Sequence, residues 1–101
     1  MSKIVLISNN KILYDGEVTI LKDLYLFGGY IYDKTIKRLT SRDGDKETIV
    51  DISKRRITIN QRNELIELSI TVNYFVEKDN TIEFDYKLER ENFNIKIEVG
   101  D

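Results

Sequence analysis

The chemistry open to this chain is limited first by the side chains it lacks. Its 101 residues contain no His and no Cys. A Ser-His or Cys-His nucleophile pair and a zinc or iron–sulfur site are therefore excluded. The remaining groups could support carboxylate-pair hydrolysis, an oxygen-ligated Ca²⁺ or Mg²⁺ site, or a lysine Schiff base. No arrangement of residues is typical of any of these, so we expect no enzyme activity, no metal ion and no cofactor.

The segment Asp43–Glu47 begins like a Ca²⁺-binding loop, with side-chain oxygens at alternate positions. Such a loop needs Gly at its sixth position and Glu at its twelfth. Here Thr48 and Lys54 occupy those two positions. The sequence therefore predicts a turn with charged flanks.

The strongest candidate for binding is the segment 24–32, which reads as a β-hairpin turning at Gly28-Gly29. The predicted cross-strand pairs are Phe27 with Tyr30, Leu26 with Ile31 and Tyr25 with Tyr32. Because side chains alternate across a strand, one face is aromatic and the other aliphatic. The aromatic face consists of Tyr25, Phe27, Tyr30 and Tyr32. We interpret it either as part of the core or as a surface on which a partner's side chains, a base or a sugar would stack.

A second candidate is a group of basic residues in the middle of the chain. Residues 33–62 hold nine basic side chains against five acidic ones. The predicted partner-binding members are Lys37, Arg38, Arg42, Arg55 and Arg56. Because the 33–47 connection and the 53–56 loop flank a strand at 48–52, we expect the two basic groups at opposite ends of that strand. That placement, and a pI near 5.2, argue against nucleic-acid binding and favour solvated loop charge.

The last third of the chain is acidic, with ten acidic side chains against four basic ones over residues 63–101. Its main carboxylates are Glu67, Glu77, Glu83, Asp85, Glu89, Glu91 and Glu98. On an outer sheet face they could bind a basic partner or imitate nucleic-acid phosphates. They could equally keep that face soluble and block edge pairing.

These residues must be positioned by strands, because alternation of period two and β-branched or aromatic residues dominate the chain. We predict a single all-β domain over residues 1–101. Its architecture is an antiparallel sandwich or a partly open barrel of about seven to eight short strands. The chain has no Pro, so we expect Gly and Asn to supply the turn positions with positive φ.

Four further features of the sheets are predicted from the pattern. The runs Lys3–Ser8 and Lys11–Tyr14 pair across Asn9-Asn10 into a hairpin that is apolar on both faces. Val50 and Ile52 oppose Ile59 and Ile57 across the loop 53–56. A strand over 65–77 turns through the three-residue loop 78–80, which sets Val76 opposite Ile82 and Tyr74 opposite Phe84 and leaves Phe75 on the outer face. A four-residue loop over 89–92 sets Phe84 opposite Ile97.

One helix competes with a long loop between residues 33 and 44. Asp33 is a suitable N-cap for a helix over 34–42, with Ile36 and Leu39 facing inward and Gly44 just beyond its end. The two alternatives are left open at this point.

The favoured function is non-catalytic binding of a protein partner in the cytoplasm. The absence of Ala and Pro and the abundance of Ile, Lys and Asn favour an AT-rich genome. They suggest a phage or mobile-element inhibitor of a host defence or transcription complex. The alternatives are a nucleic-acid-binding module that uses residues 34–62, a nucleotide or sugar binder, and a virion subunit. The two-sided apolar hairpin and the aromatic face predict a homodimer, and no stretch is apolar enough to span a membrane.

Overall fold

A computed structural model describes residues 2–100 and contains only strands and turns, which confirms the all-β antiparallel class. The chain forms two compact units. The five-stranded unit comprises residues 2–18 and 71–100, and the seven-stranded unit comprises Thr19–Ile70. Every strand pair in both sheets is antiparallel. Each sheet has two edge strands, so neither sheet closes on itself.

The five-stranded unit joins the two ends of the chain. Its strands are β1 (Lys3–Ser8), β2 (Lys11–Glu17), β10 (Thr71–Lys78), β11 (Thr81–Leu88) and β12 (Glu91–Gly100). Their order in the sheet is β10-β11-β12-β1-β2. The first and last strands pair directly, from Lys3 with Gly100 to Ser8 with Ile95. The buried apolar residues of this unit are Ile4, Leu6, Ile82, Phe84, Tyr86, Ile95 and Ile97.

The seven-stranded unit is an uninterrupted meander. Its strands are β3 (Thr19–Leu21), β4 (Leu24–Phe27), β5 (Tyr30–Asp33), β6 (Arg38–Asp43), β7 (Lys46–Asp51), β8 (Arg56–Gln61) and β9 (Glu64–Ser69). They lie in the sheet in chain order. The buried apolar residues are Tyr25, Phe27, Tyr32, Leu39, Val50, Ile52, Ile57 and Ile70.

The two hairpins that were predicted to turn at Asn9-Asn10 and at Gly28-Gly29 are confirmed. Asn9 and Asn10 both have positive φ, the signature of a type I′ turn, and they join β1 to β2. The 24–32 hairpin has the predicted pairs, from Phe27 with Tyr30 to Tyr25 with Tyr32. A Cβ on Gly29 would lie 2.8 Å from the Arg42 carbonyl oxygen, so the close approach of β6 requires glycine there.

Neither of the two alternatives for residues 33–44 is correct, since the segment forms a short loop and then β6 instead of a helix over 34–42 or a long loop, although Asp33 still acts as a capping residue. The Asp33 Oδ1 atom accepts hydrogen bonds from the amides of Thr35 (3.0 Å) and Ile36 (3.4 Å). Lys37 then adopts a positive φ of 55°, which turns the chain back as β6 instead of continuing a helix. Leu39 is buried between Tyr32 and Val50 on the neighbouring strands, and this cross-strand packing decides in favour of a strand.

Residues 2–100 form twelve strands rather than seven or eight, because β3 and β6 lie in segments where no strand was predicted and because one predicted strand is divided. Positive φ is not confined to Gly and Asn, since five charged residues other than Asp adopt it: Lys22, Lys37, Arg55, Arg62 and Glu89. Such turns carry no conventional sequence signal. The predicted 65–77 strand is divided into β9 and β10 by Ile70, which is buried.

The predicted registers of the C-terminal hairpins are wrong. A two-residue turn at Asp79-Asn80 pairs Phe75 with Phe84 and Val76 with Glu83. Phe75 is therefore half-buried with its ring 6.3 Å from that of Phe84, whereas Tyr74 and Val76 are exposed. A β-bulge at Asn73 absorbs the extra residue, and sequence alternation alone does not reveal a bulge.

Two other loops differ from prediction in a simpler way. The turn between β11 and β12 is Glu89-Arg90, so Phe84 opposes Ile95 instead of Ile97. The loop between β7 and β8 is 52–55, so Val50 opposes Ile57 instead of Ile59. Both shifts are by two residues, which keeps every side chain on its predicted face.

Candidate functional site

Three connections of the seven-stranded unit lie at the same end of its sheet. They are the turn 22–23, the loop 34–37 between β5 and β6, and the loop 52–55 between β7 and β8. With the strand residues beside them, residues 22–23, 33–38 and 51–56 form what we call the basic loop end. It holds seven basic residues, Lys22, Lys34, Lys37, Arg38, Lys54, Arg55 and Arg56, and three acidic ones, Asp23, Asp33 and Asp51.

Backbone hydrogen bonds join these connections to one another. The Lys34 amide donates to the Asp23 carbonyl (2.9 Å), and the Ile52 amide donates to the Lys37 carbonyl (3.1 Å). The Ile70 amide donates to the Arg55 carbonyl at 3.1 Å. The antiparallel ladder thus continues past the strand ends, and the loops are joined into one hydrogen-bonded end of the sheet.

The two four-residue loops repeat one local design. Each follows an Asp, has a basic residue with positive φ at its last position, and is followed by an Arg that opens the next strand: Asp33, Lys37 and Arg38 in one, Asp51, Arg55 and Arg56 in the other. The Oδ1 atom of Asp51 accepts a hydrogen bond from the Lys54 amide (3.1 Å), as Oδ1 of Asp33 does from the equivalent amide of Ile36 (3.4 Å). Sequence reasoning missed this D-x-x-x-[KR]-R repeat, which was the available signal for the site.

Ion pairs fix two of the arginines in place. Arg38 donates from Nε (3.2 Å) and Nη2 (2.9 Å) to Oδ2 of Asp51, which is buried. Arg56 donates from Nη1 to Oε2 of Glu67 at 2.6 Å. Arg38 and Arg56 both lie opposite Asp51 in neighbouring strands. The two guanidinium-bearing positions are therefore two strand spacings apart, about 10 Å.

The positive charge of the basic loop end is only partly compensated. Within residues 2–100, the exposed side chains of Lys22, Lys54 and Arg55 form no ion pair. The ammonium group of Lys34 lies 5.9 Å from the centroid of the Tyr25 ring, within the range of a cation–π contact. A surface of this sign attracts anionic groups of a ligand and repels cationic ones.

The prediction that the two basic groups lie at opposite ends of a strand is wrong. It treated residues 33–47 as one connection, whereas β6 carries the chain from the loop 34–37 to the far end of the sheet and β7 returns it. Because two strands, β6 and β7, separate the two loops instead of the one predicted, the loops lie at the same end of the sheet. Four predicted binding residues, Lys37, Arg38, Arg55 and Arg56, are therefore brought together.

The other predicted binding residues do not join them at the surface. Arg42 lies at the opposite end of the sheet, where its guanidinium pairs with Glu47 at 3.0 Å. Three of the four aromatic residues are buried: Tyr25, Phe27 and Tyr32. Tyr30 is half-buried and its ring stacks on that of Phe27 at 5.5 Å. The aromatic face thus forms core, because packing apolar rings stabilises a small domain more than leaving them in water.

The acidic residues of the last third are divided between the two units. Glu67 is in the seven-stranded unit, whereas Glu83 and Asp85 share the outer face of β11. The Tyr74 hydroxyl (2.7 Å) and the Asn94 amide (3.0 Å) both donate to Oε2 of Glu83. The hydrogen bond from the Asn94 side-chain amide, and next that from the Tyr74 hydroxyl, hold the pKa of Glu83 below its ordinary value. The carboxylate in turn raises the pKa of Tyr74.

Within residues 2–100, no three or more His, Cys, Asp or Glu side chains are grouped so that they could hold a metal ion. The segment Asp43–Glu47 contains the β6–β7 turn at residues 44–45, where Asp45 pairs with Arg62 at 2.9 Å. Across the same residues, the structure has no helix long and apolar enough to cross a membrane.

Comparison with known proteins does not assign the chain to a family. No family model, no curated protein sequence and no solved structure matches the chain.

Proposed function

We propose that this chain is a non-catalytic binding module that docks onto an acidic surface of a protein partner through the basic loop end. The observation that carries the proposal is the hydrogen-bonded convergence of three connections at the basic loop end, which with its adjoining strand residues holds seven basic and three acidic residues. Because these loops are ordered by their own backbone bonds, little conformational entropy is lost when a partner binds. The cations that remain exposed, Lys22, Lys54 and Arg55, would steer an acidic partner and fix its orientation.

In the same proposal, the module works in the cytoplasm by occupying its partner's surface. An inhibitor of a host defence or transcription complex, encoded by a phage or mobile element, would act in this way. The absence of Ala and Pro and the abundance of Ile, Lys and Asn, which favour an AT-rich genome, support such a source.

Nucleic-acid binding is the second candidate, and one observation favours it. The basic groups that were expected at opposite ends of a strand share one surface, on which several cations could contact phosphates of the same nucleic acid. The burial of Tyr25 and Tyr32 weighs against it, because single-strand binders need exposed rings on which bases stack. The net charge of −2 weighs against it as well.

The test compares a fluorescent oligo-glutamate peptide with single-stranded and duplex oligonucleotides by anisotropy over a range of salt concentrations. We expect the peptide to bind, and its affinity to fall as salt rises. The double variant Lys54→Glu/Arg55→Glu should weaken peptide binding by roughly tenfold or more. The double variant Lys11→Glu/Lys87→Glu makes the same change of charge on exposed residues of the five-stranded unit and should bind like the wild type.

Two results would count against the proposal. One is the absence of peptide binding at low salt, and the other is an equal loss of affinity in both double variants, which would show a diffuse charge effect. Oligonucleotide binding that exceeds peptide binding and is lost in Lys54→Glu/Arg55→Glu would establish the second candidate instead.

A further inference from the structure

The two sheets have four edge strands, and three of them carry features that discourage pairing with another chain. β2 contains a bulge at Leu13, and the Tyr14 hydroxyl donates to the Glu17 carbonyl of the same strand at 2.7 Å. β10 contains a bulge at Asn73. β3 is only three residues long. Bulges and short length are the usual devices by which proteins protect a sheet edge.

The fourth edge strand, β9, lacks these devices. It is six residues long, and its register with β8 is unbroken from Gln61 with Glu64 to Arg56 with Ser69. It also exposes large apolar side chains on both faces, since Leu65 is 62% and Ile66 49% exposed. An unbulged, apolar edge strand is a ready template for a further strand.

The turn before β9 determines which of its backbone groups point outward. Arg62 and Asn63 both have positive φ, as in a type I′ turn, so Gln61 and Glu64 form a hydrogen-bonded pair. Hydrogen-bonded and non-hydrogen-bonded pairs alternate along an antiparallel ladder. The bond from the Ile70 amide to the Arg55 carbonyl fits that alternation. The outward N–H and C=O groups are therefore those of Leu65, Glu67 and Ser69.

We propose that a second copy of this chain occupies this edge, with β9 pairing antiparallel to β9 and extending the seven-stranded sheet across a two-fold axis. Opposed residues in a continuous sheet share a face, so odd residues must oppose odd and even oppose even. Among these registers, Ile66 opposite Ile66 avoids direct opposition of two Glu67 side chains.

That register also aligns the apolar side chains of the two edge strands and places their outward N–H and C=O groups opposite one another. Ile59 opposes Ile66 within one copy, so the row Ile59–Ile66 would continue directly into its two-fold equivalent. Leu65 of one strand would oppose Glu67 of the other, and these two positions provide about four new backbone hydrogen bonds. Two paired six-residue strands bury little area, so the dimer should be weak and depend on concentration.

The register is tested by single-cysteine variants, because the chain has no Cys of its own. In the proposed dimer Ile66 faces its own copy in a non-hydrogen-bonded pair, where Cβ atoms are about 4.5–5.5 Å apart and a disulfide needs little adjustment. Ile66→Cys should form a covalent dimer on oxidation at least about tenfold faster than Leu65→Cys, whose neighbour across the axis is Glu67. Equal rates, or no crosslinking of Ile66→Cys, would overturn the register and the edge pairing.

The dimer itself is tested without relying on a variant, by light scattering of the wild-type chain from about 10 µM to 1 mM. The mean mass should rise from the monomer value of 11.9 kDa toward that of a dimer. Leu65→Lys should abolish the rise. Leu21→Lys, on the short edge strand β3 where Leu21 is 55% exposed, should leave it intact. A wild-type mass that stays monomeric throughout, or that grows beyond a dimer, would refute the proposal.

Discussion

At the scale of single residues, Asp51 connects the parts of the basic loop end. It is the one buried charged side chain among residues 2–100, and it contacts both a guanidinium and a loop amide. A buried carboxylate is tolerated only where such partners replace its hydration. The same contacts hold Arg38 in place and order the loop 52–55.

Replacing Asp51 by Asn should therefore destabilise the protein while keeping its shape. The loss of the charge leaves the Arg38 guanidinium, whose side chain is 33% exposed, without its counterion. We expect the free energy of unfolding to fall by about 2 kcal/mol, measured by urea denaturation with an unchanged m-value.

Asp45→Asn is the matched control for that measurement, because Asp45 also pairs with an arginine, Arg62, but on the exposed surface. Its effect should stay below about 0.5 kcal/mol. An equal effect of the two substitutions would show that the burial of Asp51 contributes nothing to its role.

At the scale of turns, several charged residues occupy backbone conformations that favour glycine. In the turn Glu89-Arg90, Glu89 has a φ of 57°, whereas Arg90 does not have positive φ. This φ pattern is that of a type II′ turn, whose first central position is normally Gly. The side chain at Glu89 therefore strains the turn.

The substitution Glu89→Gly should relieve that strain and stabilise the protein by about 1 kcal/mol, despite the greater freedom of Gly in the unfolded chain. Thermal or urea unfolding would measure it. Arg90→Gly tests the neighbouring position, where no strain is relieved and a small loss of stability is expected. A gain of the same size from both substitutions would contradict this account of the turn.

At the scale of strands, the hydrogen bonds among Tyr74, Glu83 and Asn94 join β10, β11 and β12 on one face of the five-stranded unit. The pKa of the Glu83 carboxyl is lowered, so its contribution to stability is complete above its unfolded value near 4.5 and is lost as the pH falls through the folded value. The pKa of Tyr74 is raised, so its contribution is complete below pH 10 and is lost as the pH rises further.

We therefore expect Glu83→Gln to cost about 0.5–1 kcal/mol at pH 7 and less at pH 3, because protonation of the wild-type carboxyl as the pH falls toward and through its lowered pKa removes the difference between the two side chains. Urea unfolding at the two pH values measures this difference. Tyr74→Phe removes one of the two donors and should reduce the acid-induced loss of stability in part. A cost of Glu83→Gln that is the same at both pH values would show that ionisation of this carboxyl does not contribute.

At the scale of the whole molecule, net charge alone is misleading about binding. The formal charge of −2 conceals a basic end in the seven-stranded unit and a carboxylate-bearing outer face in the five-stranded unit. The proposed binding is therefore a property of one surface, and it should respond to salt as a local patch does rather than as the whole chain would.

How much could be predicted depended on whether the signal was local. The turns at Asn9-Asn10 and Gly28-Gly29 were predicted correctly because Asn and Gly readily adopt the backbone conformations of tight hairpin turns. The bulge at Asn73 and the turn at Glu89 were missed because the ladders on either side, rather than the local residues, impose the backbone conformation there. Four of the five predicted basic residues belong to the candidate site, but their convergence was missed.

The sequence by itself determined the all-β class, the faces of most strands and the exclusion of His- and Cys-based chemistry, since these follow from side-chain period and composition. Only the tertiary structure decided that the aromatic face of 24–32 is core, that two basic loops share one end, and that β9 is the unprotected edge. Those outcomes depend on how many strands separate two residues and on which strands have neighbours. Both are set by long-range pairing, which the local pattern of a single strand does not encode.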